Sequence, residues 1–302
     1  MEVDAPKPWF DALELIAKEK GRVLIIGATD TGKSTLTKFL ITQLCRRGFP
    51  LGLIDTDVGQ SFLGPPATIG FSLFKLHPDW GIVFSTPKIF FVGALSPEGH
   101  VPIFLKGVRR MLNRATSSEA EVILIDTTGF VSGEGGNELK RRKIDLLSPQ
   151  FILALQRSDE IEPILEPYNK TPTIKIFRLP LSQQIKPRSM EERRLYRSNR
   201  FEDYFKHSLI HDLDLQDIVF EGEVLDPNGN PLPLEWALRI SGLLIGLKDH
   251  QDDTLALGLT KKFFEEKNLL RILTPLSEIQ NLKAIQLSSL KVIRLLPDEQ
   301  RA

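Results

Sequence analysis

Residues 27–35 read Gly-Ala-Thr-Asp-Thr-Gly-Lys-Ser-Thr and match the pattern G-x-x-x-x-G-K-[ST], which is typical of a phosphate-binding loop. The two glycines allow a tight turn whose backbone N–H groups point inward at a phosphate chain. Lys33 would reach the β- and γ-phosphate oxygens, and the Ser34 hydroxyl would ligate Mg²⁺. In an empty loop we expect Lys33 to face solvent. The residues predicted to bind the nucleotide are Asp30, Thr31, Gly32, Lys33, Ser34 and Thr35.

The chain on either side of this loop has the patterns that such a site requires. Residues 23–26 form an apolar run suited to a buried strand, and residues 36–44 have the apolar spacing of a helix. The N-terminus of that helix would add its dipole to the phosphate site. Because strand, loop and helix occur together, a nucleoside triphosphate site is favoured over a chance glycine–lysine turn.

A carboxylate ends a second apolar run further along the chain. Asp126 follows residues 122–125, as a Walker B aspartate follows its strand. An aspartate at that place can hold Mg²⁺ directly or through water. The predicted metal ligands are therefore Ser34, Asp57 and Asp126.

Asp55 and Asp57 lie at alternating positions after another apolar run, so in an extended segment their side chains point the same way. One of them could take a proton from an attacking hydroxyl, while Gln60 accommodates an incoming phosphate. The alternative is that both aspartates only form and cap a turn at a strand–loop junction. The nearby phosphate loop favours the catalytic interpretation, since carboxylates with shifted pKa values cluster at functional sites.

Residues 188–205 form a basic segment with helical spacing. Arg193, Arg197 and Arg200 recur at i, i+4 and i+7 and would share one stripe of a helix. Such a helix could close over a triphosphate and neutralise charge that develops during phosphoryl transfer. A solvated charged face, with two neighbouring glutamates as ion-pair partners, is the alternative.

The composition describes an ordinary globular protein with ample core: 302 residues, 41% apolar and 26% charged. Lysine plus arginine equals aspartate plus glutamate at 39 each, so no overall field attracts nucleic acid or membrane. The single cysteine, Cys45, continues the apolar pattern of the helix predicted after the phosphate loop, which favours a buried thiol. Neither a signal peptide nor an apolar run of transmembrane length is recognised, and we expect a cytoplasmic location.

The first two-thirds of the chain alternates β-rich runs with helical patterns, which predicts an α/β fold with a parallel sheet and flanking helices. Helices are predicted near residues 9–20, 101–115, 137–147 and 189–207, and strands include 51–55, 89–93, 122–126, 151–155 and 173–178. After residue 213 short strands dominate, among them 237–247 and 254–259. We therefore predict a P-loop domain over residues 1–212 and a small β-rich domain over residues 213–302.

Taken in order, these motifs resemble one family. The matching segments are the phosphate loop, Asp57-Val58-Gly59-Gln60, Ser96-Pro97, Asp126-Thr127-Thr128-Gly129-Phe130 and the arginine series from Arg188 to Arg200. Together they look like the polynucleotide 5′-hydroxyl kinases related to the kinase subunit of the eukaryotic pre-mRNA cleavage complex and to its ribosomal-RNA-processing cousin. The resemblance covers residues 20–300.

The resemblance implies a P-loop NTPase fold and a role for each matching residue. Asp57 would be the general base, with Lys33, Arg188 and Arg193 as the other catalytic residues. The substrate-binding residues would be Gln60, Ser96, Thr127, Thr128, Gly129, Phe130 and Arg197. Position 130 is usually a tryptophan in the family, and phenylalanine offers the terminal base a smaller stacking surface.

The eukaryotic relatives carry an N-terminal β-domain that contributes to the adenine pocket, whereas about twenty residues precede the first strand here. Residues 151–157 and 179–180 are alternative candidates to line the base.

The resemblance implies ATP-dependent transfer of the γ-phosphoryl group to the 5′-hydroxyl end of RNA, DNA or both, with ATP (or another nucleoside triphosphate) and Mg²⁺ as cofactors. An ATP-binding scaffold of a nucleic-acid-processing complex, with little turnover, is the alternative. A metallochaperone-like GTPase is disfavoured because it would need clusters of cysteine or histidine ligands. The expected partners are the 5′-hydroxyl ends of RNA or DNA. Proteins are expected to bind to the C-terminal domain, and no membrane binding is expected.

Overall fold

The computed structural model describes residues 5–182 and 187–292. These residues form two compact units. The first unit contains residues 5–64, 69–88 and 96–190 with the gap at 183–186, and the second contains residues 65–68, 89–95 and 191–292.

The first unit is built around a parallel sheet with helices packed against it. Its helices are α1 (Lys7–Glu19), α2 (Lys33–Arg46), α3 (Val101–Thr116), α4 (Gly133–Leu147) and α5 (Glu162–Leu165). Its strands are β1 (Gly21–Gly27), β2 (Leu51–Thr56), most of β3 (Thr68–His77), β4 (Gly81–Phe84), β6 (Val122–Thr127), β7 (Phe151–Leu155) and β8 (Lys175–Leu179). The short β5 (Lys88–Phe91) begins in this unit and continues into the second.

Five strands of the first unit run parallel in the order β2-β6-β1-β7-β8. Strand β3 pairs antiparallel with β2, and β4 with β3. Val23 and Ile25 alternate along β1 and join the core shared with α1 and α2, where Trp9, Leu13 and Leu40 are fully buried. Because parallel strands end at one edge of a sheet, the loops after β1, β2 and β6 meet there.

The second unit is rich in β-structure. It contains α6 (Met190–Phe205), β9 (Leu209–Asp214), β10 (Val219–Glu221), α7 (Leu234–Arg239), β11 (Leu244–Lys248), β12 (Thr254–Phe264), β13 (Leu269–Thr274) and β14 (Ala284–Gln286). Strands β9, β13, β12, β11 and β14 pair antiparallel in that order, and β10 pairs parallel with β14. Phe201 and Phe205 of α6 pack into its core with Leu257.

The predicted α/β fold with a parallel sheet is confirmed, and the five predicted helices lie within a few residues of α1, α2, α3, α4 and α6. Residues 237–247 were expected to be one strand; instead Ala237 lies in α7 and the strand begins at Leu244. Strands β3 and β4 were not predicted. The predicted domain boundary at residue 212 falls inside β9, whereas the compact units divide the chain after residue 190, so the division into domains stays a prediction. No helix among the described residues combines the length and apolarity that crossing a membrane requires.

Candidate active site

The loop between β1 and α2 has the backbone that its sequence pattern predicts. Gly32 has a φ of 88° and Asp30 a φ of 57°, both in the left-handed region that a tight loop uses. The Thr31 hydroxyl donates to the Ala28 carbonyl at 2.9 Å and pins the turn. A Cβ at Gly27 would approach the Leu155 carbonyl oxygen to 2.5 Å, so only glycine lets the loop leave β1 beside β7.

Lys33 does not face solvent, which corrects the expectation from the sequence. Its side chain is 7% exposed and its ammonium donates to the Ala28 carbonyl at 2.7 Å across its own loop. Burial lowers the pKa of Lys33, while the charges of Asp126, Asp57 and Asp30 oppose that shift. The charges of these three carboxylates thus act on the ammonium that would meet the phosphates.

The two predicted ligands Ser34 and Asp126 lie side by side. The Ser34 hydroxyl donates to Asp126 Oδ2 at 3.2 Å, and Asp126 Oδ1 accepts the Thr127 amide at 2.8 Å. Burial, together with the charge of Asp55, raises the pKa of Asp126 to about 7.

A buried carboxylate next to an exposed hydroxyl is a donor set that suits Mg²⁺, which keeps waters and phosphate oxygens as its other ligands. Among the described residues no three His, Cys, Asp or Glu side chains are placed to hold a metal ion by themselves. A site completed by phosphate oxygens does not need three such residues.

The structure separates the two aspartates that the sequence left equivalent. Asp55 is 1% exposed, and its carboxylate accepts the amides of Asp57, Phe62 and Leu63 and the Ser61 hydroxyl, at 2.5–3.0 Å. It therefore organises the loop after β2, and burial raises its pKa.

Asp57 is half-buried, and its Oδ1 accepts the amides of Gly59 and Gln60 at 3.1 and 3.0 Å. These bonds form a turn, as the alternative from sequence expected. They also fix the direction of the carboxylate. Within the part of the chain that the structure describes, no hydrogen bond is found to Oδ2, which leaves that oxygen as the candidate to accept a proton.

Arg188 links two loops of the first unit. Its guanidinium donates to Gln60 Oε1 at 3.4 Å, and its backbone amide donates to Asp30 Oδ2 at 3.3 Å. The arginine thus lies between the phosphate loop and the Asp57–Gln60 turn, although 128 or more residues separate it from either.

The segment after β6 packs against the phosphate loop. A Cβ at Gly129 would approach the Thr29 Cα and backbone nitrogen to 2.7 Å, so glycine permits the close approach. Thr127 is 1% exposed, and its hydroxyl donates to the Ile25 carbonyl at 2.8 Å, which uses that hydroxyl within the fold. Phe130 is half-buried next to this segment.

Three further residues were predicted to take part in catalysis or substrate binding: Ser96, Arg193 and Arg197. Ser96 is exposed, and its hydroxyl accepts the Glu98 amide within its own turn. Arg193 and Arg197 are half-buried on α6, in the second unit. Burial and the charges of Arg193 and Arg194 lower the pKa of Arg197, so like charges crowd this stretch of helix. The catalytic role of Arg193 and the substrate-binding roles of Ser96 and Arg197 stay predictions.

The residues proposed to line the base divide into two groups. Phe151–Leu155 is β7 and is buried throughout in the sheet. Arg157, just beyond it, donates to the Asp30 carbonyl at 2.6 Å and to the Thr29 carbonyl at 3.3 Å. Arg157 thereby braces the outer side of the phosphate loop.

The sequence interpretation missed two lysines beneath the site. Lys140 donates to the Thr128 carbonyl at 2.7 Å, and Lys143 donates to the Thr56 hydroxyl at 2.6 Å. Burial lowers the pKa of Lys143 to about 7 and that of Lys140 well below its usual value. Their signal in the sequence is a pair of lysines on the apolar face of the predicted helix, next to Leu139 and Ile144.

Comparison with known proteins agrees with this geometry. A model of the mRNA cleavage and polyadenylation factor CLP1 P-loop matches residues 27–207. A polyribonucleotide 5′-hydroxyl-kinase of Pyrococcus abyssi is 30% identical, with 96% of this chain and 93% of the relative covered. A polyribonucleotide 5′-hydroxyl-kinase of Methanocaldococcus jannaschii is 29% identical, with 96% and 92% covered.

A solved complex of wild-type Clp1p with Pcf11p shares the fold, with a TM-score of 0.73 at 16% identity over 96% of this chain and 80% of that one. The family match spans more than half of the chain and contains both Walker segments, the Asp57–Gln60 turn and α6. The chain belongs to the CLP1 P-loop family.

Proposed function

We propose that the protein is an ATP-dependent polynucleotide 5′-hydroxyl kinase, which transfers the γ-phosphoryl group to the 5′-hydroxyl end of RNA, DNA or both. The observation that carries the proposal is the set of groups around Lys33. One compact unit contains the phosphate loop, the Ser34–Asp126 hydrogen bond and Asp57, whose charge acts on that ammonium. A phosphoryl-transfer site needs these parts: a phosphate cradle, a metal site and a base.

In the proposed reaction Asp57 accepts the proton of the 5′-hydroxyl as its oxygen attacks the γ-phosphorus. The bond to the β-phosphate oxygen breaks, and ADP leaves with that electron pair. Lys33 stabilises the charge on the transferred group, because a fixed cation in a site screened from water acts strongly on developing charge. Ser34 and Asp126, with Asp57 as a further candidate ligand, would hold Mg²⁺, which neutralises phosphate charge when bound.

In the same proposal the polynucleotide binds at Gln60 and at the segment Thr128-Gly129-Phe130. Gln60 and Thr128-Gly129 would bind the phosphate next to the reacting nucleotide, and Phe130 would support the terminal base. Arg188 would touch both substrates, and its hydrogen bonds to Gln60 and Asp30 support this role. Arg193 and Arg197 would close over the phosphates from α6.

We also propose a kinase domain followed by a β-rich C-terminal domain that binds protein partners.

A cytoplasmic location is proposed because a single cysteine, Cys45, leaves no disulfide framework. Burial raises the pKa of that thiol to about 11, which suits a structural rather than a reactive cysteine.

The test is incubation with γ-labelled ATP and matched 5′-hydroxyl oligonucleotides of RNA and DNA, single- and double-stranded. We expect label on the 5′ end of at least one substrate and none on the same oligonucleotides that already carry a 5′-phosphate. Tight ATP binding with no labelled product on any of them would favour the scaffold instead.

A further inference from the structure

Two lysines occupy positions where a helix normally carries apolar core residues. Lys140 and Lys143 on α4 are 1% and 0% exposed. Their spacing of three residues places both on one face of the helix, the face that also carries Leu139 and Leu147. Burying an ammonium group is unfavourable unless it is hydrogen-bonded and its charge is compensated. Their partners therefore indicate what the two lysines contribute.

Lys140 holds the segment that follows β6. Its ammonium donates to the Thr128 carbonyl oxygen at 2.7 Å and lies 3.2 Å from the Thr128 hydroxyl. On its other side the same segment touches the phosphate loop, because Gly129 packs on Thr29. The segment is thus fixed between the buried Lys140 side chain and the nucleotide loop, with little freedom to adjust.

Lys143 supports a different pair of strands. Its ammonium donates to the Thr56 hydroxyl at 2.6 Å, and that hydroxyl donates to the Asp126 carbonyl at 2.6 Å. The ring of Phe104 covers the ammonium at 5.3 Å. This chain of bonds joins the ends of β2 and β6 and does not touch Thr128. The two lysines are equally buried but have separate partners.

We propose that Lys140 is a positioning residue for the polynucleotide: it fixes the Thr128–Gly129 segment so that the segment receives the phosphate next to the 5′-hydroxyl. The proposal rests on the kinase function proposed above. Lys140 touches no substrate and acts through Thr128. Its loss should therefore weaken productive binding of the polynucleotide far more than binding of ATP.

The test compares two matched variants of the full chain. Lys140→Met replaces the ammonium with an apolar side chain of similar shape, and Lys143→Met does the same three residues further along the same helix. Initial rates are measured while ATP and a 5′-hydroxyl oligonucleotide are varied separately. Lys140→Met should raise the oligonucleotide KM about tenfold and change the ATP KM by less than about twofold, because small misplacement of a binding group has large kinetic effects. Lys143→Met should leave the oligonucleotide KM within about twofold of wild type.

Thermal unfolding of each variant establishes that the folded state is being assayed. If Lys140→Met does not fold, Lys140→Gln makes the same test, since its shorter amide is polar but does not reach the Thr128 carbonyl. An unchanged oligonucleotide KM in the folded variant, or an equal rise in both lysine variants, would overturn the positioning role. A wild-type chain without transfer activity would instead refute the kinase function, and this inference with it.

Discussion

At the scale of single residues, the environment of Lys33 gives the sharpest expectation. Its ammonium donates a hydrogen bond to the Ala28 carbonyl, and burial lowers the pKa of the Lys33 side chain. Lys33→Ala should lower the transfer rate roughly a hundredfold or more, because one fixed donor to developing charge contributes on that scale. The fold should survive, since the lost hydrogen bond is worth about 1 kcal/mol and a buried charge is removed with it. Rate and melting temperature, measured on one preparation, check both parts; near wild-type transfer would refute the assignment.

Asp57→Asn separates a base from a turn former. The amide oxygen of asparagine can still accept the amides of Gly59 and Gln60, so the turn should persist. If Asp57 is the base, the rate at saturating substrates falls roughly a hundredfold or more with ATP affinity kept. Should the variant need much more Mg²⁺ and recover its rate when supplied with it, Asp57 is a metal ligand instead.

Asp55→Asn is the matched control for that variant. The Asp55 carboxylate accepts four hydrogen bonds, and an amide NH₂ in place of one oxygen would face donors. We expect a loss of about 2 kcal/mol in the free energy of unfolding, the scale of a buried polar group left unsatisfied. Denaturant unfolding measures it. Asp55→Asn is thus expected to lower the stability of the fold, whereas Asp57→Asn is expected to lower the transfer rate.

At the scale of elements, the contact between the loops after β1 and β6 depends on one glycine. A Cβ at Gly129 would lie 2.7 Å from backbone atoms of Thr29, so Gly129→Ala must displace one of the loops. We expect ATP affinity to fall about tenfold or more, because the phosphate cradle loses its geometry. Gly135→Ala is the control: its Cβ would meet only the Phe130 ring at 3.9 Å, and alanine favours the helix. Equal ATP affinities in the two variants would show that the loop contact is unimportant.

The arginine helix supports a prediction of a different kind. If Arg193 contacts the phosphates in the transition state, Arg193→Ala should cost roughly 3–5 kcal/mol, about a thousandfold or more in rate at saturating substrates. Arg200, two turns further along, should act mainly on oligonucleotide affinity, with a larger effect at low salt than at high salt. Initial rates and binding measured at two salt concentrations distinguish these effects. Small, equal and salt-insensitive effects of both substitutions would indicate a solvated surface.

At the scale of the whole molecule, the second unit takes residues 65–68 and 89–95 from the first half of the chain. Phe91 is fully buried there, its carbonyl accepts the Gln286 amide at 3.2 Å, and it packs on Gly246. A fragment that ends at residue 190 exposes these segments. It should melt about 5 °C or more below the full chain, since exposing one large buried side chain costs about 2 kcal/mol.

Scanning calorimetry and binding of a hydrophobic dye test that fragment. Phe91→Ala in the full chain is the control, because it removes the same buried ring and leaves every other segment present. A fragment that melts as high as the full chain and binds no dye would show that its first unit is independent of the rest.

Local signals allowed several features to be predicted from the sequence. The phosphate loop depends on glycines and a lysine within nine residues, and the helices α3 and α4 on apolar spacing that repeats every few residues. The Ser34–Asp126 apposition was also predictable, because parallel strands that share an edge bring their following loops together. Strands β3 and β4 were missed although their signal is local: residues 68–73 alternate apolar residues with small or polar ones, and only residues 78–80 separate the two paired strands.

The sequence by itself thus determined a phosphate site on a parallel sheet and the residue types around it, since these follow from short-range patterns. Only the tertiary structure decided which aspartate is buried, that Lys33 turns inward, and that Lys140 and Lys143 reach beneath the site. It also decided that α7 forms where a strand was expected, because packing against the C-terminal core outweighs a weak local preference. Burial and hydrogen-bond partners depend on residues far apart in the chain, and no local pattern encodes them.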